Sequence, residues 1–229
     1  MSPDGRAVLC LITDRRRLAA AIRAGEDDSE RCLFDQIAGA VSGGVDVVQI
    51  RERDLEGRAL ADLTRRIVAV AAGSSTRIVV NDRLDIALAT GAAGVHLRED
   101  SMPIDVAQRM GGRRALIGRS IHGPEGARAA RGASYLIAGS VFTTDSKPGR
   151  ELLGLNGLRQ TVLHSGGCPV WAVGGVTRER LPSICEAGAR GVAAIGAFIP
   201  SGPALDLARE VQELTSELRF SFDRLGGLS

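Results

Sequence analysis

Short apolar segments rich in β-branched residues alternate along this chain with stretches whose apolar residues recur at helical spacing. The eight apolar segments are 7–12, 45–50, 76–80, 93–97, 114–118, 133–138, 168–173 and 190–195. Short apolar runs bounded by turn residues are typical of strands buried on both faces. Strands that alternate with helices form parallel sheets with right-handed crossovers. Eight such units in 229 residues predict an α/β fold, a (β/α)8 TIM barrel of one domain spanning 1–229.

The stretches between the apolar segments predict the helices. Predicted helices cover 60–72, 84–91, 104–111, 155–166, 178–188 and 204–220. The polar, charged segment 14–30 is predicted to begin as a loop. An open doubly wound sheet is the alternative fold, but it would need a glycine-rich turn after the first strand. The sequence there, CLITDRRRLA, contains no glycine, so the closed barrel is favoured.

Composition excludes several classes of partner. The net charge is +2 and aromatic residues make up 3%, so neither a basic surface nor stacking platforms for nucleic acid are expected. No apolar segment approaches the length needed to span a membrane, and the N-terminus does not resemble a signal peptide. None of the four cysteines forms a C-x-x-C pair. We therefore expect a cytoplasmic protein with reduced thiols and no nucleic-acid or membrane partner.

Functional residues of such barrels lie at the carboxyl ends of the strands. The second strand delivers Gln49, Arg51 and Arg53, whose alternation directs all three side chains to one side. Two guanidinium groups in a barrel mouth suit phosphate or pyrophosphate. The alternative is that these arginines pair with nearby carboxylates of Glu52, Asp54 or Asp82. Glu52 is a poor partner because adjacent strand residues point apart, so anion binding is favoured.

Glycines mark the ends of the seventh and eighth strands. The segments AVGGV (172–176) and AIGAF (194–198) bring Gly174, Gly175, Ile195 and Gly196 to the place where TIM barrels commonly hold phosphate on backbone amides. A third group, Thr144 and Lys147, lies in the loop VFTTDSKPG, which either closes over a phosphate or is simply a solvent-exposed loop.

The remaining polar residues of the rim follow the third and fifth strands. Asn81 and Asp82 either cap the next helix or orient a substrate amine or a magnesium-bound pyrophosphate. Ser120 and His122 follow IGR at the end of the fifth strand, where a histidine is either a turn residue or faces a pocket.

Seven motifs, among them LITD, VQIRER, IGRSIH and PVWAVGGV, resemble the thiamine-phosphate synthase/TenI family in order and spacing. The resemblance runs from about residue 11 to 200, and 201–229 form the last helix and a tail. It implies a single-domain TIM barrel of thiamine biosynthesis that binds a phosphorylated thiazole.

The synthase branch of that family joins hydroxymethylpyrimidine pyrophosphate to thiazole phosphate with Mg²⁺. The resemblance makes Asp82 one metal ligand. The position of the second acidic ligand falls on Ser101, with Asp100 one residue early. Thus one of the two carboxylates that hold the metal is missing.

The other branch, the thiazole tautomerase, aromatises a carboxylated thiazole phosphate by proton transfer without a metal. IGRSIH and VFTTDSK look closer to this branch, which makes His122 the proton carrier, with Ser120 positioning the substrate. Gly174, Gly175 and Gly196 would surround the phosphate, and Thr144 and Lys147 would close over the ring.

We therefore expect a thiazole tautomerase-like isomerase without a cofactor. One alternative is a thiamine-phosphate synthase, a transferase that requires Mg²⁺. A second alternative is a regulator that binds thiazole phosphate without catalysis. Association into a homo-oligomer is an open expectation.

Overall fold

The computed structural model describes residues 6–143 and 151–226, which form one closed barrel of eight parallel strands. Each strand pairs with its neighbour in the sequence, and the first pairs with the eighth. The strands are Val8–Ile12 (β1), Val47–Ile50 (β2), Arg77–Asn81 (β3), Gly94–Leu97 (β4), Leu116–Ile121 (β5), Tyr135–Gly139 (β6), Val170–Val173 (β7) and Gly191–Ala194 (β8). The predicted (β/α)8 architecture is confirmed.

Helices surround the barrel. Within the described residues they are Arg15–Ile22 (α1), Ser29–Ser42 (α2), Gly57–Val70 (α3), Leu84–Thr90 (α4), Ile104–Gly111 (α5), Pro124–Ala129 (α6), Gly154–Leu163 (α7), Leu181–Glu186 (α8) and Leu207–Gly226 (α9). None of these helices has both the length and the apolar composition needed to cross a membrane. The last helix, α9, packs against α2 so closely that a Cβ at Gly39 would lie 2.1 Å from the carbonyl oxygen of Ala208.

The prediction that segment 14–30 begins as a loop is wrong, because α1 forms there. The Asp14 carboxylate accepts a hydrogen bond of 3.1 Å from the backbone N–H of Arg17 and so caps the first turn. Three consecutive arginines conceal the helical pattern, since they contribute no apolar residue to it. The buried face of α1 consists of Leu18, Ala19 and Ile22.

The interior of the barrel is packed with side chains below the level of the site. The rings of Tyr135 and Trp171 are stacked with centroids 3.8 Å apart, and the His96 ring lies 5.6 Å from that of Tyr135. Gly118 leaves room for this stack, because a Cβ there would lie 2.2 Å from the Tyr135 ring. Above this layer the carboxyl ends of the strands open into a cavity.

Candidate functional site

A cavity of about 1440 Å³ occupies the carboxyl ends of the strands. Most of the predicted site residues line it, namely Gln49, Arg51, Arg53, Asn81, Ser120, His122, Gly174, Gly175, Ile195 and Gly196. Asp82 lines an adjoining cleft of about 320 Å³. Thr144 and Lys147 lie outside the described residues. The barrel therefore brings the predicted residues that follow β2 into the same cavity as those that follow β7 and β8.

The two arginines that follow β2 have no direct carboxylate partner among the described residues. Neither Arg51 nor Arg53 makes a side-chain hydrogen bond or ion pair with a described residue. The backbone N–H of Arg51 donates to Oγ1 of Thr13 at 2.9 Å, which fixes the chain at this point. Burial, and then the charge of Arg53, lower the pKa of Arg51. A bound anion would offset both effects.

The carboxylates that might have neutralised these arginines have other partners. Glu52 pairs with Nη1 of Arg15 at 2.9 Å, and Asp54 makes two contacts with the same guanidinium at 2.7 and 2.5 Å. Asp82 lies 3.5 Å from Nε of Arg98. The expectation that Glu52 would not pair with its sequence neighbours is confirmed, and the side chain instead anchors α1 to the barrel.

Two amide side chains meet between β2 and β3. Nε2 of Gln49 donates to Oδ1 of Asn81 at 3.0 Å, while Oε1 of Gln49 is buried and has no partner among the described residues. Neither Asn81 nor Asp82 caps α4, because the residue before that helix is Arg83 and its first turn has no side-chain cap. Buried polar atoms in folded proteins are nearly always hydrogen-bonded, so the Gln49 oxygen is suited to a donor on a ligand.

Ser120 forms a hydrogen bond with a histidine in the barrel interior. Its hydroxyl lies 2.9 Å from Nε2 of His96, and burial lowers the pKa of His96 to about 3. The imidazole is therefore neutral at physiological pH and positions the hydroxyl. His96 lines the cavity, and its place at the end of the fourth strand was its only signal in the sequence.

His122 lies at the edge of the cavity. Its Nδ1–H donates to the carbonyl oxygen of Gly139 at 2.5 Å, and its Nε2 lies 3.7 Å from the Glu99 carboxylate. The side chain is about half-exposed, at 44%. The ring is thus held in a fixed orientation at the end of β5, with Nε2 accessible from solvent.

The glycines after β7 are required by both conformation and space. Gly174 and Gly175 have φ of +97° and +61°, in the left-handed region that disfavours other residues. A Cβ at Gly174 would lie 2.7 Å from that of Ser140, and one at Gly175 would lie 2.6 Å from the carbonyl oxygen of Thr143. The absence of a side chain at 174 and 175 therefore lets the backbone of this turn lie close to the cavity, which both residues line.

Two arginines near these glycines were not predicted from the sequence. Nη1 of Arg180 donates to the carbonyl oxygen of Gly175 at 2.6 Å, and its guanidinium lies over the ring of Phe142 at 4.5 Å. Nη2 of Arg17 lies 3.5 Å from the position of a Cβ on Gly196. Recognition of α1 would have brought Arg17 to the rim, whereas nothing in the sequence pattern indicates Arg180.

The residues proposed for Mg²⁺ fit that ion poorly. Asp82 and Asp100 both contact Arg98, and position 101 is a neutral serine. Among the described residues no group of three or more His, Cys, Asp or Glu side chains could hold a metal ion. Mg²⁺ prefers an octahedral set of oxygen ligands, and here a guanidinium lies beside the available carboxylates.

The chain is similar over its length to known proteins of one kind. A family described as thiamine monophosphate synthase matches residues 9–198. A putative thiamine-phosphate synthase of Geobacter sulfurreducens is 41% identical over 90% of this chain and 93% of its own length. The thiamine-phosphate synthase of Mycolicibacterium smegmatis is 36% identical over 88% and 91%. The solved thiamine phosphate pyrophosphorylase of Pyrococcus furiosus superposes with a TM-score of 0.77 at 32% identity, covering 96% of each chain.

These similarities overturn the expectation of a thiazole tautomerase. The relatives are named as synthases at 34–41% identity across most of the chain, so the isomerase reading is wrong and the synthase alternative is favoured. The prediction rested on Ser101 at the position of the second metal ligand and on short motifs around His122 and in 141–149. Such motifs sample a few positions, whereas the similarity to synthases extends over about 200 residues.

Proposed function

Because this chain is an enzyme of thiamine biosynthesis that belongs to the thiamine monophosphate synthase family, we propose that it is a thiamine-phosphate synthase. It is a transferase that joins hydroxymethylpyrimidine pyrophosphate to thiazole phosphate and releases pyrophosphate. The observation that carries the proposal is that one cavity is lined both by arginines without a described carboxylate partner and by the glycine turn after β7.

Two phosphorylated substrates need two places for anions on the same rim. Arg51 and Arg53 form the first, since no described carboxylate pairs with either. The turn of Gly174 and Gly175, together with Gly196 and its neighbour Arg17, forms the second. We expect the pyrophosphate at the arginines and the thiazole phosphate at the glycines, where backbone N–H groups approach closely.

The pyrimidine ring would lie between these two regions. The free oxygen Oε1 of Gln49 suits an exocyclic amino group, and Asn81 holds the amide in that orientation. The Ser120 hydroxyl, held by His96, is available to a second polar atom of the substrates. These contacts would fix the pyrimidine methylene carbon opposite the thiazole nitrogen.

The reaction exchanges one bond at that methylene carbon. The C–O bond to pyrophosphate breaks and its electron pair leaves with the pyrophosphate oxygen. The thiazole nitrogen supplies the pair for the new C–N bond and becomes positively charged. Arg51 and Arg53 attract the negative charge that grows on the leaving oxygen, which lowers the barrier more than it stabilises the bound substrate. Orienting both substrates in one cavity adds the advantage of proximity.

Formation of the product tests the proposal. Purified protein is incubated with both substrates, and thiamine phosphate and pyrophosphate are followed by mass spectrometry and a coupled phosphate assay. We expect the two products in equal amounts and neither product when one substrate is omitted. Absence of thiamine phosphate with and without added Mg²⁺ would overturn the proposal.

Variants at the first anion region locate the reaction within this cavity. Arg51→Gln and Arg53→Gln should each lower kcat/KM for the pyrimidine substrate by roughly tenfold or more, because each removes a charged hydrogen-bond donor. The matched control is Arg58→Gln, an exposed arginine of α3 that does not line the cavity. Equal losses in all three variants would contradict the assignment.

A further inference from the structure

Arg98 lies between two carboxylates at the end of β4. Its Nε and Nη2 contact the two oxygens of Asp100 at 3.1 and 2.9 Å. On the other side its Nε lies 3.5 Å from Oδ2 of Asp82, and its backbone N–H donates to Oδ1 of Asp82 at 3.4 Å. One guanidinium therefore bridges two carboxylates, one on the main cavity (Asp100) and one on the adjoining cleft (Asp82).

Hydrogen bonds from Arg119 fix the backbone of the segment that carries Arg98 and Asp100. Arg119 of β5, which is only 7% exposed, donates to three carbonyl oxygens of the segment 98–102. Its Nη1 contacts the carbonyls of Arg98 at 2.7 Å and Glu99 at 3.1 Å, and its Nη2 contacts that of Met102 at 2.5 Å. A slip of one residue that moved Asp100 to the position of Ser101 would break these bonds. The segment is thus fixed with a hydroxyl at 101.

Arg98 also shares its two cavities with the arginines that follow β2. It lines the main cavity together with Arg51 and Arg53, and the same three residues line the adjoining cleft that contains Asp82. Three arginines therefore line the region where the pyrophosphate is expected. A divalent ion entering here would have to displace Arg98 from both carboxylates and would meet the repulsion of the other two charges.

We propose that Arg98 is the resident cation of the Asp82–Asp100 pair and a binding residue for pyrophosphate. This proposal rests on the proposed synthase function. In this chain the charge of the leaving pyrophosphate is then neutralised mainly by protein guanidinium groups, and a divalent cation binds the carboxylate pair weakly. Guanidinium is suited to this role because its planar donors bind carboxylate and phosphate oxygens in pairs and it is always charged.

Binding of Mn²⁺ to the free protein, measured by electron paramagnetic resonance, tests the first half of the proposal. We expect weak binding to the parent protein and roughly tenfold tighter binding to Arg98→Gln, because that change frees both carboxylates. The double variant Arg98→Gln/Ser101→Asp should bind more tightly still. The control, Arg109→Gln, removes an exposed arginine paired with Asp105 on α5 and should bind like the parent. Equal Mn²⁺ affinity of the parent and Arg98→Gln would overturn the proposal.

Binding of inorganic pyrophosphate, measured by calorimetry in the presence of EDTA, tests the second half. The parent protein should bind pyrophosphate without metal, and Arg98→Gln should bind it roughly tenfold more weakly. A parent protein that binds pyrophosphate only after Mg²⁺ is added would overturn the proposal. Neither binding measurement requires turnover, so a failure of the synthase assay would be distinguished from a failure here.

Discussion

Nε2 of Gln49 donates a hydrogen bond of 3.0 Å to Oδ1 of Asn81 across the β2–β3 pair. This bond fixes the orientation of the Gln49 amide, whose own oxygen is buried without a partner among the described residues. An unpaired buried acceptor is costly, and a ligand that supplies a donor recovers that cost on binding. The relationship makes Gln49 a determinant of which ring occupies the cavity.

Gln49→Leu should therefore weaken binding of the pyrimidine substrate. Leucine keeps the approximate volume but removes the acceptor, so KM for the pyrimidine substrate should rise roughly tenfold or more. KM for thiazole phosphate should change less than twofold, as measured by steady-state kinetics with each substrate varied. Gln108→Leu, which removes an amide on α5 bonded to the Gly132 carbonyl, is the control. A parallel rise in both KM values would point to a general loss of structure.

Gly175→Ala should damage both the fold and the thiazole phosphate site. The left-handed conformation costs an alanine about 1–2 kcal/mol, and the new Cβ would lie 2.6 Å from the Thr143 carbonyl oxygen. The steric clash should lower the free energy of unfolding by about 2 kcal/mol or more, in addition to the cost of the left-handed conformation. KM for thiazole phosphate should rise more than tenfold.

Gly166→Ala separates the effect of the backbone conformation from the effect of the steric clash. Gly166 has nearly the same φ, +63° against +61°, but no atom lies within 4 Å of its added Cβ. This variant should lose only the conformational cost and keep the parent KM. Urea unfolding and steady-state kinetics on both variants measure the difference, and equal losses would refute the steric argument.

His96 makes the stability of the protein depend on pH. Burial lowers its pKa in the folded protein to about 3. In the unfolded chain the same imidazole is protonated below about pH 6.5, whereas in the folded chain it stays neutral. Because the unfolded state binds more protons, the free energy of unfolding falls as the pH decreases below 6.5. Between pH 7 and 5 this one group removes about 2 kcal/mol.

Urea unfolding of His96→Gln at pH 7, 6 and 5 measures that contribution. The variant should show a pH dependence smaller by about 2 kcal/mol over this interval than the parent shows. His164→Gln, a change at a partly exposed histidine after α7, should keep the parent's dependence. If His96→Gln shows the same pH dependence as the parent, burial of a neutral imidazole is not the cause of that dependence.

A hydrogen-bonded network around Asp46 lies at the amino-terminal ends of the strands, opposite the cavity. The Asp46 carboxylate accepts from Nη2 of Arg219 at 2.7 Å, from Nη2 of Arg6 at 2.9 Å and from the backbone N–H of Leu9 at 2.8 Å. The Asp46 and Arg219 side chains are only 11% and 10% exposed. Asp46→Ala leaves Arg219 with the partly exposed Asp223 as its one remaining carboxylate among the described residues. The backbone N–H of Leu9 also loses its acceptor. We therefore expect the free energy of unfolding to fall by about 2 kcal/mol or more, measured by urea titration.

The control for this prediction is an exposed pair. Asp62→Ala breaks a contact with Arg65 on the outer face of α3, where both side chains are more than half exposed. Such pairs contribute less than about 1 kcal/mol because water and salt screen them. A similar loss in Asp62→Ala and Asp46→Ala would contradict the importance of burial at the barrel end.

The barrel itself was predictable because its signals are local. Each strand is a short apolar run and each run lies within a few residues of its predicted bounds, although β5 extends to Ile121 and so includes Ser120. The rule that sites lie at the carboxyl ends of the strands then gathered most of the cavity residues. Among the residues that the rule missed are those of α1, hidden by its arginines, and Arg180, whose contact with Gly175 has no counterpart in the pattern.

The choice between tautomerase and synthase could not be made from local motifs. Ser101 and the motif at His122 pointed to proton transfer, but similarity over most of the chain to named synthases overturned that prediction. Within the synthase proposal, the serine at this acidic position changes how the pyrophosphate charge is neutralised. The bridge formed by Arg98 gives this substitution a physical interpretation within the synthase proposal.

The sequence by itself determined the order of strands and helices, the closed barrel and the rim on which polar residues collect, because hydrophobic periodicity acts between near neighbours. Only the tertiary structure decided which charges meet. Glu52 pairs with Arg15, and Asp82 and Asp100 pair with Arg98. Arg51 and Arg53 have no described carboxylate partner. The physical reason is that ion pairs depend on distances of a few ångströms between residues far apart in the chain, which barrel closure sets and spacing in the sequence does not.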